Sequence, residues 1–232
     1  MKKTKIIATI GPACISKTKI KNMILAGMNV ARINMSHPYE MDDLKNLINI
    51  IREQSKFLDM PVAILFDLCG PKIRVSFKDK NKILNINKGD TITIGKNRVD
   101  IPINIPVKFG DINQGAYVKI DDGTLSFKVI KVKNNILTVQ SDSKGKIING
   151  KGINFPGILL DVSTTTKKDI KDIKTAVDLK VDWIAMSFVR SSEDIIKVKK
   201  ILEKKDYYIP IIAKIEKPEA LENLNNIVKT FD

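Results

Sequence analysis

Cysteine, histidine, arginine and aromatic residues are all scarce in this 232-residue chain. The two cysteines, Cys14 and Cys69, stand far apart and form neither a C-x-x-C pair nor a metal-ligand spacing, which fits a reducing compartment. No apolar run is long enough to span a membrane, so no membrane partner is expected. The apolar stretch that follows the basic residues Lys2 and Lys3 stops at Gly11-Pro12. That is too short for a signal-peptide core, and a cytoplasmic protein is expected. There is no G-x-G-x-x-G and no P-loop, which disfavours the open-sheet nucleotide folds. The formal net charge of +14 invites a nucleic-acid hypothesis. Against it, the lysines are scattered, aromatics make up 6% of the chain, and the only arginines are Arg32, Arg52, Arg74, Arg98 and Arg190. A basic RNA-binding protein is therefore the weakest of the functional classes considered, and no nucleic-acid partner is expected.

What is present is an alternation of apolar strands and amphipathic helices. Thr4–Ile10, Asn29–Met35 and Pro61–Asp67 read as strands, and Ser16–Ala26 and Met41–Leu58 as helices, the second with Leu44, Leu47, Ile48 and Ile51 on one stripe. The texture changes at Gly70-Pro71. From Lys72 to Pro156 the helical period vanishes, and short alternating runs such as Thr91–Ile94 and Tyr117–Ile120 appear. Lys88-Gly89-Asp90, Asp121-Asp122-Gly123, Asn134-Asn135 and Lys144-Gly145 mark candidate hairpin turns. After Pro156-Gly157 the first texture returns, with helices over Thr166–Leu179, Ser192–Glu203 and Glu219–Lys229 and strands over Asp182–Phe188 and Ile209–Glu216. The organisation is an α/β series over 1–71, an inserted all-β module over 72–156, and the series continued over 157–232.

Arg32, Asn34 and Ser36 follow the buried-looking Val30-Ala31 at a spacing of two, which on a strand puts all three on one face. A strand covered on both sides should be apolar, so a polar row at its end needs a reason. Lys214 and Glu216 repeat the pattern after Ile211–Ala213. Polar residues at the ends of every strand favour a TIM (β/α)8-type barrel, incomplete here at about five βα units, over an open sheet that would concentrate them at one switch point.

Seven stretches, in order, carry a resemblance: Ala8–Pro12, Ala31–His37, Phe66–Arg74, Asp121–Gly123, Lys151–Asn154, Met186–Arg190 and Ala213–Glu216. Together they closely resemble the N-terminal half of pyruvate kinase. The resemblance implies a (β/α)8 barrel with a β-rich lid inserted after the third strand. It also implies transfer of the phosphoryl group of phosphoenolpyruvate to ADP, giving pyruvate and ATP at the end of glycolysis. Arg32 would hold the substrate phosphate, a task suited to a bidentate guanidinium. Lys214 would lie against the transferring phosphoryl oxygens, with Ser187 and Phe188 bordering the substrate, although Phe188 equally suits a core. Glu216 would ligate magnesium or manganese. Asn34, Ser36, Asp67 and Leu68 resemble a monovalent-cation pocket, and Asn34, His37, Arg74 and Lys151 the nucleotide side. His37 is given no acid–base role, and Asp122 suits a turn as well as a ligand contact.

Two departures from the family pattern carry expectations. Lys72 stands where potassium-dependent members carry glutamate, and Leu68-Cys69 replaces Thr-Lys. A fixed ammonium would substitute for a mobile cation, so activity without potassium is expected. The chain also stops after five strands, whereas the family has three more and a C-terminal domain. The 232-residue chain alone is therefore expected to be inactive or nearly so. The competing reading is a truncated non-catalytic remnant, or a half-barrel that needs a complementing chain. The full-length family is usually a homotetramer.

Overall fold

The computed structural model describes residues 3–110, 112–158, 163–205 and 207–232. In chain order the elements begin with β1 (Ile6–Ile10), α1 (Lys17–Leu25), β2 (Met28–Asn34), α2 (Met41–Phe57) and β3 (Ala63–Asp67). Eight strands follow: β4 (Ile83–Ile86), β5 (Thr91–Gly95), β6 (Ile101–Pro102), β7 (Tyr117–Ile120), β8 (Leu125–Lys133), β9 (Ile136–Ser141), β10 (Gly145–Ile148) and β11 (Ile153–Asn154). The chain continues with α3 (Lys167–Asp178), β12 (Trp183–Met186), α4 (Ile196–Glu203), β13 (Ile211–Ala213), α5 (Pro218–Glu222) and α6 (Leu224–Thr230). Two compact units result, one of Met1–Gly70 with Thr164–Asp232 and the other of Pro71–Ser163.

The first unit is built on a five-stranded sheet in the order β1-β2-β3-β12-β13, every neighbouring pair parallel. Strand order follows chain order without reversal, so the sheet winds in one direction and has no switch point. It forms a curled half-barrel of α/β type. The helices are there for readable reasons. Ser16 caps α1 by accepting from Lys19 N–H, and Gly27, at φ +108°, stops it. Leu44, Leu47, Ile48 and Ile51 form the buried stripe of α2. Thr166 and Asp169 make a reciprocal capping box at the start of α3. Ile33, Ile64, Phe66 and Ile184 are fully buried in the core between sheet and helices.

β1 is an edge strand, and Ile6 and Ile7 on it are exposed. The structure corrects three readings of this unit. The fourth strand ends at Met186 because Phe188 takes a left-handed conformation, φ +59°, outside the β region. The fifth spans only Ile211–Ala213, so Lys214 and Glu216 project from the loop beyond it. The last helix breaks at Asn223, whose side-chain amide donates to the Glu219 and Arg190 carbonyls.

The second unit holds a two-stranded sheet, β10-β4, and a six-stranded sheet in the order β11-β7-β8-β9-β5-β6. Its apolar core includes Ile94, Phe109, Val118, Phe127, Leu137, Val139 and Ile147. Asn134 and Asn135, at φ +50° and +60°, make the two-residue turn joining β8 to β9. Asp121 and Asp122, at φ +58° and +52°, turn β7 into β8, so turn chemistry accounts for Asp122. Lys88-Gly89-Asp90 and Lys144-Gly145 do not close hairpins, because β4 pairs with β10 whereas β5 pairs with β9.

Candidate active site

Register gathers the site. β1 and β2 pair so that Thr9 lies beside Arg32, and Asp67 at the end of β3 lies between Asn34 and Ala185. Asp67 is 3% exposed, a carboxylate that must be paired to be tolerated there. Arg32 Nε donates to its Oδ2 at 2.8 Å, with Nη2 on the same oxygen, and Arg32 Nη1 donates to Thr9 Oγ1 at 2.6 Å. From the opposite side, Lys214 Nζ donates to Asp67 Oδ1 at 3.0 Å and to Ser187 Oγ at 2.9 Å. Ser187 Oγ donates in turn to the Leu68 carbonyl at 2.7 Å. Two cations thus share one buried anion, and each keeps about a third of its side chain open to solvent (32% for Arg32, 28% for Lys214). The arrangement fixes both positive groups before any ligand arrives and leaves one face of each free.

Glu216 completes the cluster. Its Oε1 lies 3.1 Å from Lys214 Nζ, and its Oε2 accepts from Phe188 N–H at 3.1 Å. The left-handed turn that ends β12 is what aims this N–H at the carboxylate. Gly70 packs against the same turn. At φ +64° it is in a region glycine favours, and a Cβ there would come within 2.9 Å of Phe188 Cδ2.

The other expected site residues fall into two groups. Asn34 Oδ1 accepts from Ser36 N–H at 3.0 Å, so Ser36 sits in a turn past the strand end rather than on the strand face with Arg32. Asn34 and His37 line a cavity of about 600 Å³ with Gly11, Pro12, Tyr39 and Leu47, mostly apolar; burial pushes the Tyr39 phenol above its ordinary pKa. Leu68 buries its side chain in the core and offers no side-chain oxygen. In the second unit, Arg74 Nη1 donates to the Gly150 carbonyl at 2.7 Å and Arg74 bridges to Gly152. Lys151, between those two residues, pairs with Asp121 at 2.8 Å, and Lys72 packs near Gly152.

Among the described residues no group of three or more His, Cys, Asp or Glu side chains gathers as a metal cage. Glu216 is a hard oxygen donor, 35% exposed, and suits a magnesium ion that keeps several waters and takes few protein ligands. The monovalent-cation set fits less well. Both Asp67 oxygens are held by Arg32 and Lys214, and the Leu68 carbonyl accepts from Ser187.

Two contributors escaped the sequence reading. Thr9 is a polar residue inside the apolar run of β1, and only its register opposite Arg32, which the sequence does not carry, reveals its part in the site. Asp169 carries only a local signal, the Thr-x-x-Asp capping pattern, yet it also reaches Gly70.

A family profile described as "Pyruvate kinase, barrel domain" matches residues 1–232. The chain belongs to the pyruvate kinase family. The pyruvate kinases of Staphylococcus aureus strains MRSA252 and USA300 are each 36% identical to it over 242 residues, covering 100% of this chain and 40% of the relative. The chain therefore spans about two-fifths of the length of the curated relatives it matches. Pyruvate kinases are phosphotransferases of glycolysis. No helix among the described residues is long and apolar enough to cross a membrane.

Proposed function

We propose that the polypeptide carrying this chain transfers the phosphoryl group of phosphoenolpyruvate to ADP, in the cytoplasm. The observation that carries this reading is the convergence of Arg32 and Lys214 on one buried carboxylate, with Glu216 beside them. In the reaction, the bond from phosphorus to the enol oxygen breaks and a bond to the terminal oxygen of ADP forms. The enolate then takes up a proton to give pyruvate. Phosphoryl transfer asks the protein for position and charge rather than covalent help. The open face of the Arg32 guanidinium holds the substrate phosphate through a bidentate contact. The Lys214 ammonium lies against the transferring oxygens and offsets the charge they share in the transition state. Ser187 keeps Lys214 aimed, and Asp67 keeps both cations from swinging into solvent.

Glu216 is the residue of this chain that would hold Mg²⁺ or Mn²⁺; a bound ion polarises phosphoryl oxygens. Asn34 and His37 place the nucleotide at the cavity they line, whose mostly apolar wall suits a purine ring. Arg74 and Lys151 are proposed for the nucleotide as well. Lys72 supplies a fixed positive charge, and activity is expected without potassium, leaving the Asn34, Ser36, Asp67 and Leu68 positions without a required cation. On this reading the first unit is an incomplete (β/α)8 barrel and 72–156 an inserted lid.

A second reading, a half-barrel that needs a complementing chain, is favoured by the exposure of Ile6 and Ile7 on edge strand β1, 43% and 55%. Co-purification of the native polypeptide with a strand-bearing partner supports it.

The test is pyruvate formation from phosphoenolpyruvate, ADP and Mg²⁺ by the native polypeptide and by its Lys214→Ala and Glu216→Gln variants. A fall of about a hundredfold or more in kcat is expected for each. Undiminished turnover in Lys214→Ala refutes the assignment.

A further inference from the structure

We infer that Asp169, at the first turn of α3, is a positioning residue for the site rather than only a helix cap. It is 1% exposed, and it is a carboxylate. One oxygen, Oδ2, completes the capping box by accepting from Thr166 N–H at 2.8 Å and from Thr166 Oγ1 at 2.7 Å. That oxygen is all a cap requires. The other, Oδ1, accepts from Gly70 N–H at 3.1 Å, across 99 residues of sequence.

Gly70 is where this bond reaches the chemistry. It is three residues past Asp67 on the loop that leaves β3. It stands so close to Ser187 and Phe188 that a Cβ would meet the Ser187 carbonyl at 3.2 Å and Phe188 Cδ2 at 2.9 Å. Ser187 hydrogen-bonds Lys214, and Phe188 N–H holds Glu216. Asp169 therefore anchors the backbone against which two of the site's holders are packed, without touching any group that would meet substrate. The neighbouring Lys168 does the same for the previous loop, donating to the Met35 carbonyl at 2.5 Å just after Asn34. One helix turn thus ties down both loops that follow β2 and β3. A cap alone gives no reason for either bond, since each runs to a loop distant in sequence.

The inference rests on the proposed phosphoryl-transfer reading, and its test separates the two. Backbone amide exchange and phosphoenolpyruvate affinity are measured in the native polypeptide and in Asp169→Ala, Asp169→Asn and Thr166→Ala. Thr166→Ala removes the other half of the cap and leaves the acceptor of Gly70 in place. Asp169→Ala is expected to speed exchange at Gly70 and to weaken phosphoenolpyruvate binding, each by about tenfold or more, as for loss of a charge-assisted bond. Thr166→Ala leaves both near wild type, and Asp169→Asn, which retains an oxygen for Gly70, is intermediate. Equal effects from Asp169→Ala and Thr166→Ala, at matched loss of thermal stability, assign Asp169 to the cap alone and overturn the inference. If the unmutated polypeptide binds no phosphoenolpyruvate, the functional reading fails instead. Exchange at Gly70 and Phe188 then decides by itself: faster exchange in Asp169→Ala supports the placement, and unchanged exchange overturns it.

Discussion

Replacing Asp67 by asparagine removes the one anion between two cations while keeping the shape of the side chain. The aspartate takes two donors from Arg32 on Oδ2 and is bonded by Lys214 through both oxygens. An amide has one oxygen to share and must turn its NH2 toward one of the two, so a donor faces a donor. Breaking a buried pair by removing one partner costs about 3–5 kcal/mol. Here both freed cations keep roughly a third of their side chains in water, which hydrates them and lowers the cost to about 2–3 kcal/mol. For a protein of this size that is a fall in Tm of roughly 5–10 °C. The assay is thermal unfolding with and without inorganic phosphate, supported by urea titration. The same argument predicts that phosphate raises Tm more in the variant than in the wild type, because Arg32 then lacks its carboxylate and Lys214 keeps only Glu216, so both meet an added anion with less of their charge neutralised. A variant as stable as wild type, with no added response to phosphate, would refute the claim that Asp67 holds the two cations together.

Three further outcomes are expected. Gly70→Ala should lower the urea midpoint by the equivalent of about 1–3 kcal/mol, from its left-handed backbone and the clash with Phe188; an unchanged midpoint would mean that the loop can move aside. Ser187→Ala should destabilise by about 1–2 kcal/mol, since the Leu68 carbonyl loses its donor in a buried place, and a parallel loss of Lys214 ordering should show as a lower kcat at nearly constant KM. Burial raises the Asp172 carboxyl above its ordinary value despite its bond to Lys168. The folded state then holds that proton more tightly than the unfolded chain, so this residue's contribution worsens as pH rises from about 4 through the raised folded value. Urea midpoints of wild type relative to Asp172→Asn should therefore fall across that window, and a rising difference would contradict the sign.

The α/β alternation and its interruption at Gly70-Pro71 are legible because burial imposes a period on each element. The stripe of α2 and the apolar β3 are local patterns, and they fold as they read. Boundaries are less legible where a side chain leaves the ladder for a distant partner. Ser187 turns to the Leu68 carbonyl and Phe188 to Glu216, and nothing local in Met186–Phe188 announces either bond. The same limit applies to the broken helix at Asn223, whose amide caps a carbonyl of another segment. The hairpin signal at Asn134-Asn135 succeeds because two consecutive left-handed residues dictate a turn by themselves. The glycine in Lys88-Gly89-Asp90 dictates a bend but not which strands pair.

The sequence by itself singled out Arg32, Lys214 and Glu216, because charged groups at the ends of apolar strands demand an explanation, and its ordered motifs point to the family. The tertiary structure alone decided that Asp67 is the shared partner of both cations, that Thr9 and Ser187 fix their orientation, and that Asp169 reaches Gly70 from behind. The physical reason is range. Periodicity and turn chemistry act over a few neighbouring residues, whereas a buried carboxylate is tolerated only when partners from strands far apart in the chain converge on it, and that convergence exists only once the sheet has formed.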